Sequence, residues 1–340
     1  MSGAMTTAAL NIGQRLRGRL GTYTLTRQLY ETVWLARLVQ EPVIIKAIRH
    51  ARLENERQIL KRFPDATVPF RALIDEIQEP RDPPALVLKH YDSHVGEVAD
   101  KKGLSAREIR HVARRVLEAL RILHENGYVH TDVKPDNIMV NLSPSEGGDG
   151  NMRFKDACLA DFGNTVSVDS EYAVNGYPLG TPIFRSPETT LILPFGPPAD
   201  VWSFGATLIS LLYGEGFDIF RPDVPVDHEL YVDKILTRFH QFFGPYPKTY
   251  LTLPGINDEV LELLIHIIST FPPEQRKPFQ LASRTEISHR DRDFICKIMK
   301  LDPRDRPTVQ ELLDDDWFQE EVEEHEHGNE REAAGGSETT

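Results

Sequence analysis

The spacing of hydrophobic residues changes once along the chain, near residue 90. Before that point apolar side chains recur at every second position, as at Val43, Ile45 and Ala47. Such alternation predicts an antiparallel sheet. Residues 51–63 are helix formers that end before a proline, so one helix is expected within this strand-rich lobe. The strands are predicted around residues 23–25, 33–35, 43–47, 73–78 and 85–90.

Beyond residue 91 the spacing becomes helical. Ser105-Ala-Arg-Glu108 has the form of a capping box. An apolar stripe follows it at Ile109, Val112, Val116, Leu120 and Leu123. Residues 200–213 are apolar nearly all round, which is typical of a buried central helix. The pattern predicts an α+β fold of two lobes, with a small β-rich lobe at about 20–90 and a larger, mainly helical lobe at about 91–318.

Three segments lie outside this pattern. Residues 1–19 are small, polar and basic, and we expect a flexible N-terminus there. Residues 143–150 are rich in Ser and Gly and predict a surface loop. Residues 319–340 begin Glu-rich and then contain Gly and Ser, which predicts an acidic disordered tail.

Composition narrows the classes of function. The net charge of −13 argues against nucleic-acid binding, which depends on clustered Lys and Arg. Only two cysteines are present, Cys158 and Cys296, which fits a reducing compartment. No apolar run approaches the ~18 residues that a membrane span requires. We therefore expect an intracellular monomer, in the cytoplasm, the nucleus or both, without membrane or nucleic-acid partners.

The stretch Tyr128–Val140 carries the strongest chemical signal. It places Asp132, Lys134 and Asn137 on one short loop after a predicted helix. Phosphoryl transfer uses such a set, with a carboxylate to orient a hydroxyl, a cation for the phosphate and an amide ligand for Mg²⁺. The same residues are also common in turns, so the stretch does not decide the chemistry alone.

Two motifs later in the chain form an ordered set with this stretch. Asp161-Phe-Gly163 follows an apolar run, and Ser186-Pro-Glu188 comes after it. With the loop at Asp132, they resemble the catalytic loop, metal-binding motif and Ala-Pro-Glu motif of eukaryotic protein kinases. The resemblance covers roughly residues 23–318. It implies ATP and Mg²⁺ as cofactors and a protein hydroxyl as the acceptor.

The resemblance assigns roles around the acceptor. Asp132 would be the catalytic base that orients the hydroxyl, and Lys134 matches the position that marks Ser/Thr kinases. Asn137 and Asp161 would hold Mg²⁺, which prefers oxygen ligands. His130 is interpreted as a packed scaffold residue.

The same resemblance assigns a nucleotide site in the first lobe. Lys46 would neutralise the ATP phosphates and be held by Glu56, with Glu54 as the alternative partner. Leu88 would be the gatekeeper, and the hinge would run from Lys89 to Tyr91. Val33, on the strand next to Lys46, completes the predicted nucleotide contacts.

Two structural roles also follow from the resemblance. Glu188 and Arg306 match a buried ion pair of the family. Asp200 matches the helix aspartate that anchors the catalytic-loop backbone.

Three departures from the family pattern affect the functional prediction. No glycine lies between Arg27 and Ala36, where the family has its phosphate-holding glycines. Ile44 replaces a small alanine above the adenine, and Thr131 replaces the arginine that binds an activation-loop phosphate. A pseudokinase, meaning a folded binding module with weak or no turnover, is therefore the main alternative. The Thr131 replacement also predicts an enzyme that needs no activation-loop phosphorylation.

Two finer assignments concern the kinase subgroup and an alternative class of kinase. The segments Ala160–Asn164, Phe184–Glu188 and Phe243–Lys248 resemble the CMGC group of kinases, and within it SR-protein kinases and related fungal kinases. This resemblance suggests basic or Arg/Ser-rich protein substrates. A small-molecule kinase of the aminoglycoside-phosphotransferase type shares the catalytic loop, but the segment from Asp161 to Glu188 argues against it.

Overall fold

The structure is a computed structural model that describes residues 10–65, 67–143 and 152–319. It confirms a small β-rich lobe followed by a larger helical lobe. The first lobe contains β1 (Arg15–Gly18), β2 (Thr22–Tyr30), β3 (Val33–Leu38), β4 (Glu41–Ala47), α1 (Ala51–Arg62), β5 (Leu73–Glu79) and β6 (Ala85–Lys89).

The second lobe contains short strands among its helices. Its elements are β7 (Ser93–His94), α2 (Val95–Lys101), α3 (Ala106–Glu125), β8 (Tyr128–Val129), β9 (Ile138–Leu142), β10 (Phe154–Leu159), β11 (Val166–Ser167), α4 (Glu171–Val174), α5 (Pro187–Thr190), α6 (Pro197–Tyr213), α7 (Tyr231–Phe243), α8 (Asp258–Thr270), α9 (His289–Ile298) and α10 (Val309–Leu313).

The strands of the first lobe close into a barrel in the order β1-β2-β3-β4-β6-β5. Alternate residues of each strand point inward, so the period-two pattern fills the barrel with apolar side chains. Tyr23, Ile45 and Val87 are fully buried there.

The first strand corrects the prediction of a flexible segment at residues 1–19. β1 pairs with both β2 and β5 and thereby closes the barrel. Leu16 is buried, and the backbone N–H groups of Arg19 and Leu20 donate to the Asp75 carboxylate at 3.2 and 2.8 Å. A four-residue strand with one buried leucine is too short for its alternation to stand out in the sequence. Residues 1–9 lie outside the described part of the chain.

Helix α1 begins after His50, whose ring accepts from the Arg52 N–H, and ends before Pro64. Its buried side is formed by Leu53, Glu56, Ile59 and Leu60. This side includes a carboxylate because α1 covers the cleft between the lobes rather than a purely apolar core.

The helical lobe is organised around α3 and α6. The capping box predicted at Ser105 is present, with reciprocal bonds between Ser105 and Glu108. Every residue of α6 from Ala199 to Leu211 is buried, as its apolar composition predicts. Trp202 packs there against the rings of Phe220 and Phe239 at 5.5 and 5.0 Å.

Two expectations fall on residues without a described placement. The predicted loop at 143–150 overlaps the gap at 144–151, and the predicted tail beyond Gln319 lies outside the described residues. Within the described ranges, no helix has the length and apolar composition needed to cross a bilayer.

Candidate active site

An antiparallel pair of strands brings the two predicted metal ligands to one end of the cleft. β9 starts directly after Asn137, β10 ends shortly before Asp161, and Ile138 is opposite Leu159. The N–H of Ala160 donates to the Asn137 carbonyl at 2.8 Å. Residues far apart in sequence are thus neighbours because their strands share a register.

Helix α6 anchors the backbone of the catalytic loop. The fully buried Asp200 accepts hydrogen bonds from the N–H groups of His130 at 2.7 Å and Thr131 at 2.8 Å. Thr131 has a φ of 69°, which is strained for a β-branched residue. Such a conformation costs about 1–3 kcal/mol and persists only where the surroundings hold it. The predicted anchoring role of Asp200 agrees with these bonds.

Both carboxylate oxygens of Asp132 have defined partners. Oδ1 accepts from the N–H of Thr181 at 2.9 Å and from its hydroxyl at 2.7 Å. Oδ2 lies 3.2 Å from Asn137 Nδ2 and 3.5 Å from Lys134 Nζ. Lys134 also donates to the Thr181 hydroxyl at 2.8 Å. The carboxylate is therefore fixed in orientation before any substrate arrives.

A glycine allows this contact between two segments. Gly180 has a φ of 80°, and a Cβ on it would collide with the Thr131 carbonyl oxygen. Only glycine lets the chain approach the catalytic loop this closely.

Lys46 links the two lobes electrostatically. Its Nζ lies 2.7 Å from Glu56 Oε2 on α1 and 2.9 Å from Asp161 Oδ1. The expected pair with Glu56 is present, whereas Glu54 bonds Arg57 on the surface. Burial opposes the charge on Lys46, but the two carboxylates outweigh it and raise its pKa. Burial likewise works against the charge on Asp161, yet attraction to Lys46 lowers its pKa.

A column of aromatic side chains supports the metal-binding turn. Phe162 is buried, with its ring centroid 4.6 Å from that of Phe70 and 5.2 Å from that of His130. His130 is itself fully buried, with Nε2 3.2 Å from the Ala160 carbonyl. Its surroundings agree with the predicted packing role.

The donor set at Asn137 and Asp161 suits Mg²⁺. Asn137 uses its Nδ2 toward Asp132, which leaves its Oδ1 without a hydrogen bond from any described residue. Asp161 uses Oδ1 toward Lys46, and its side chain is 44% exposed. One carboxylate and one amide oxygen are a typical protein share for Mg²⁺, which takes its other ligands from phosphates and water. No cluster of three or more His, Cys, Asp or Glu ligands occurs in the described ranges.

The predicted nucleotide contacts of the first lobe are only partly brought together. Val33 is paired with Lys46 across β3 and β4, and Ile44 is paired with the buried Leu88 across β4 and β6. Lys89 Nζ instead lies 3.5 Å from the Asp156 carboxylate and 4.8 Å from the centre of the Tyr91 ring. The Lys89 and Tyr91 side chains thus face β10, and the Lys89 backbone N–H and carbonyl are already bonded to Ala72 and Arg71.

The element expected to hold phosphates is a hairpin with a short turn. β2 and β3 are joined by a turn at Glu31 and Thr32, with Tyr30 opposite Val33. Gln28 Nε2 donates to the Glu31 carbonyl at 3.2 Å, and the Ala47 N–H donates to the Thr32 carbonyl at 2.9 Å. The side chain of Tyr30 is 69% exposed at the tip.

One residue that the sequence analysis did not single out also shapes the site. Asn55 Nδ2 on α1 lies 3.2, 3.1 and 2.7 Å from the carbonyls of Phe162, Gly163 and Thr165. It ties α1 to the metal-binding turn. An asparagine on a polar helix surface gives no sequence signal for such a contact, because its acceptors are over 100 residues away.

Comparison with known proteins agrees with this geometry. Residues 36–318 match the family model described as a protein kinase domain. The chain is 28% identical to the serine/threonine-protein kinase shk1/pak1 of Schizosaccharomyces pombe over 217 residues, 64% of this chain and 25% of the relative. It is 30% identical to a serine/threonine-protein kinase US3 homologue of Varicella-zoster virus, over 65% of this chain and 53% of the relative.

A further relative matches over most of its length. A casein kinase II subunit alpha homologue of Encephalitozoon cuniculi is 25% identical over 84% of both chains. Among solved structures, the yeast RNA Pol II CTD kinase CTDK-1 complex contains a chain that superimposes with a TM-score of 0.71, at 17% identity, over 94% of this chain and 97% of that one. This likeness concerns the fold. The chain spans about a quarter to a half of the first two relatives.

Proposed function

The chain belongs to the protein kinase family, and we propose that it is a Ser/Thr protein kinase that needs no activation-loop phosphorylation. The observation that carries this proposal is the fixed position of Asp132 against Thr181, together with the Lys46–Glu56 pair. Both contacts are made entirely by groups of the chain itself.

Each residue has a task in the proposed reaction. Asp132 orients the acceptor hydroxyl and accepts its proton, while Lys134 and Lys46 place positive charge near the transferred group. Asn137 and Asp161 would hold Mg²⁺, which when bound neutralises charge on the phosphates. Most of the rate enhancement comes from positioning and charge, because the transition state of phosphoryl transfer is loose.

Independence from phosphorylation is supported by bonds that already hold the activation segment. The Thr131 hydroxyl donates to the Asn164 carbonyl at 2.9 Å, where an arginine would require a phosphate partner. Arg185, which follows this segment, donates to the carbonyls of Leu179 at 2.8 Å and Gly180 at 2.7 Å. With Asn55 bound to the metal-binding turn, no described group here requires an added phosphate.

The substrate class follows from charge and resemblance. A net charge of −13 favours basic protein substrates, and the CMGC-like segments favour Arg/Ser-rich ones. We propose that this activity operates inside the cell, with the chain acting as a monomer.

A folded binding module without turnover is the second candidate function. The glycine-free hairpin favours it, because side chains at Gln28, Tyr30 and Thr32 keep backbone N–H groups from close approach to phosphates. The predicted CMGC-like subgroup does not distinguish the two candidates.

The test uses protein expressed in bacteria and confirmed as unphosphorylated by intact mass. Radiolabelled phosphotransfer is measured to a basic protein and to an Arg/Ser-rich protein, in parallel with Asp132→Asn. Transfer that depends on Mg²⁺ and falls by about 10²–10⁴-fold in the variant supports the proposal. Transfer that appears only after another kinase modifies residues 164–179 contradicts phosphorylation independence. ATP binding without any transfer favours the binding module.

A further inference from the structure

A cavity of about 320 Å³ lies on the side of β6 that faces α3 and β10. Its lining includes Arg115 of α3 and Cys158 of β10. Of the residues assigned to the nucleotide site, it shares only Lys89 and Tyr91, whose side chains turn away from Lys46. The cavity is therefore separate from the proposed ATP site.

The walls of this cavity are mostly apolar. They include Leu60, Phe63, Val68, Phe70 and Leu73. Cavities of ~300–1,000 Å³ with apolar walls and a few directed polar groups are the usual form of small-molecule sites. A ligand with an apolar body would fit these walls. The polar side chains of the lining then determine which polar group such a ligand carries.

Arg71 is the polar group that distinguishes the cavity. Its Nε donates to the Lys89 carbonyl at 2.9 Å, and no described carboxylate lies within 4 Å of its guanidinium. The other cations of the lining have acidic partners: Lys89 pairs with Asp156, Arg115 with Glu118, and Lys61 with Glu76. Burial lowers the pKa of Arg71, although Cys158 and Glu56 act in the opposite direction.

A partly buried guanidinium without a carboxylate partner is costly, and its two terminal nitrogens can hold both oxygens of one carboxylate. We propose that this cavity is a binding site for a small apolar carboxylate, which pairs with Arg71 and places its hydrocarbon body against Phe63 and Phe70. The proposal concerns binding only and does not depend on phosphotransfer.

The test compares two probes that differ only at the polar end, 4-phenylbutyrate and 4-phenylbutan-1-ol. Binding to the full chain is followed by solution NMR of labelled Leu and Val methyl groups. We expect the acid to bind about tenfold more tightly than the alcohol, with shifts concentrated at Leu60, Val68 and Leu73. Equal affinity of the two probes, or shifts elsewhere, would overturn the proposal.

Two substitutions test the charge of Arg71 and the volume of the cavity separately. Arg71→Gln should remove the preference for the acid, whereas Arg107→Gln, on the exposed face of α3, should leave it unchanged. Ala72→Leu narrows the cavity without altering charge and should weaken both probes by about tenfold. If Arg71→Gln does not fold, the ratio of acid to alcohol affinity in the unmodified chain and the result for Ala72→Leu still decide whether the proposal holds. Undiminished binding in Ala72→Leu contradicts the site.

Discussion

The catalytic loop and the β2–β3 hairpin differ in how firmly they are held. The Asp132 carboxylate has four polar atoms of three residues within 3.5 Å, and the loop backbone is bonded to the buried Asp200. The hairpin tip is held by the strand ladder, by the Gln28 side chain and by the Ala47 N–H. Tyr30 extends from it into solvent.

This difference separates two requirements of phosphoryl transfer. Orienting a hydroxyl requires a carboxylate fixed to a fraction of an ångström, and such precision comes from several simultaneous bonds. Holding phosphates requires backbone donors that can approach closely. The chain retains the first feature and has lost the glycines that usually provide the second. The comparison therefore predicts a competent catalytic centre with a weakened hold on the nucleotide.

The largest expected effect concerns the ion pair that supports the catalytic side. Arg306 binds both oxygens of Glu188 at 2.7 Å in the interior. Arg306→Met leaves a buried carboxylate unpaired, so we expect the free energy of unfolding to fall by about 3–5 kcal/mol. Urea denaturation measures it. The matched control is Arg37→Met on the exposed face of β3, which should change stability by less than ~0.5 kcal/mol. An equal loss of unfolding free energy in the two variants would show that the Glu188–Arg306 pair contributes no more to stability than an exposed arginine.

The next effect concerns the metal-binding turn. Asp161→Asn removes the carboxylate at the predicted Mg²⁺ site and also weakens the hold on Lys46. We expect Mg²⁺-dependent nucleotide binding to fall by about hundreds-fold, or ~3 kcal/mol, with the fold retained. Thermal shift with ATP, with and without Mg²⁺, measures it, and the exposed Asp169→Asn is the control. An unchanged Mg²⁺-dependent shift would show that this carboxylate does not bind the metal.

A smaller effect should follow from the contact between α1 and the turn. Asn55→Ala removes the hydrogen bonds to Phe162, Gly163 and Thr165. Since a net hydrogen bond contributes about 0.5–1.5 kcal/mol, we expect kcat to fall about tenfold with little change in the KM for protein substrate. Hydrogen exchange at residues 162–165 should rise.

The control for Asn55 is Asn126→Ala. Asn126 donates to the Ile122 carbonyl at the end of α3, so this variant loses a similar bond away from the cleft. It should lower stability without altering kcat. Equal kcat values in the two variants would show that the α1 contact is only structural.

The parts of this architecture that sequence could predict are those encoded by local patterns. The alternation at Val43, Ile45 and Ala47 marked a strand, and the capping box at Ser105 marked a helix start. The Lys46–Glu56 and Glu188–Arg306 contacts were also predicted, because motif order assigned each partner.

The missing parts depend on long-range packing. β1 is a strand only because β2 and β5 flank it, and four residues are too few to reveal alternation. Asn55 contacts a segment that is distant in sequence. Lys89 and Tyr91 were assigned to the hinge from their place in the sequence, whereas the direction of their side chains depends on the fold around them.

The smallest expected effect tests the hairpin itself. With few close backbone donors, we expect ATP to bind more weakly than micromolar, since each charge-assisted hydrogen bond is worth about 1.5–3 kcal/mol. Tyr30→Gly should free the tip to approach the phosphates and strengthen ATP binding by about fivefold, or ~1 kcal/mol, after the entropic cost of glycine in a strand. Tyr30→Ala removes the same ring but does not give residue 30 the backbone flexibility of glycine. Its gain in ATP affinity should therefore be smaller. Isothermal titration compares the three proteins. Submicromolar binding by the unmodified chain, or equal gains in both variants, would mean that the hairpin backbone does not limit the hold on ATP.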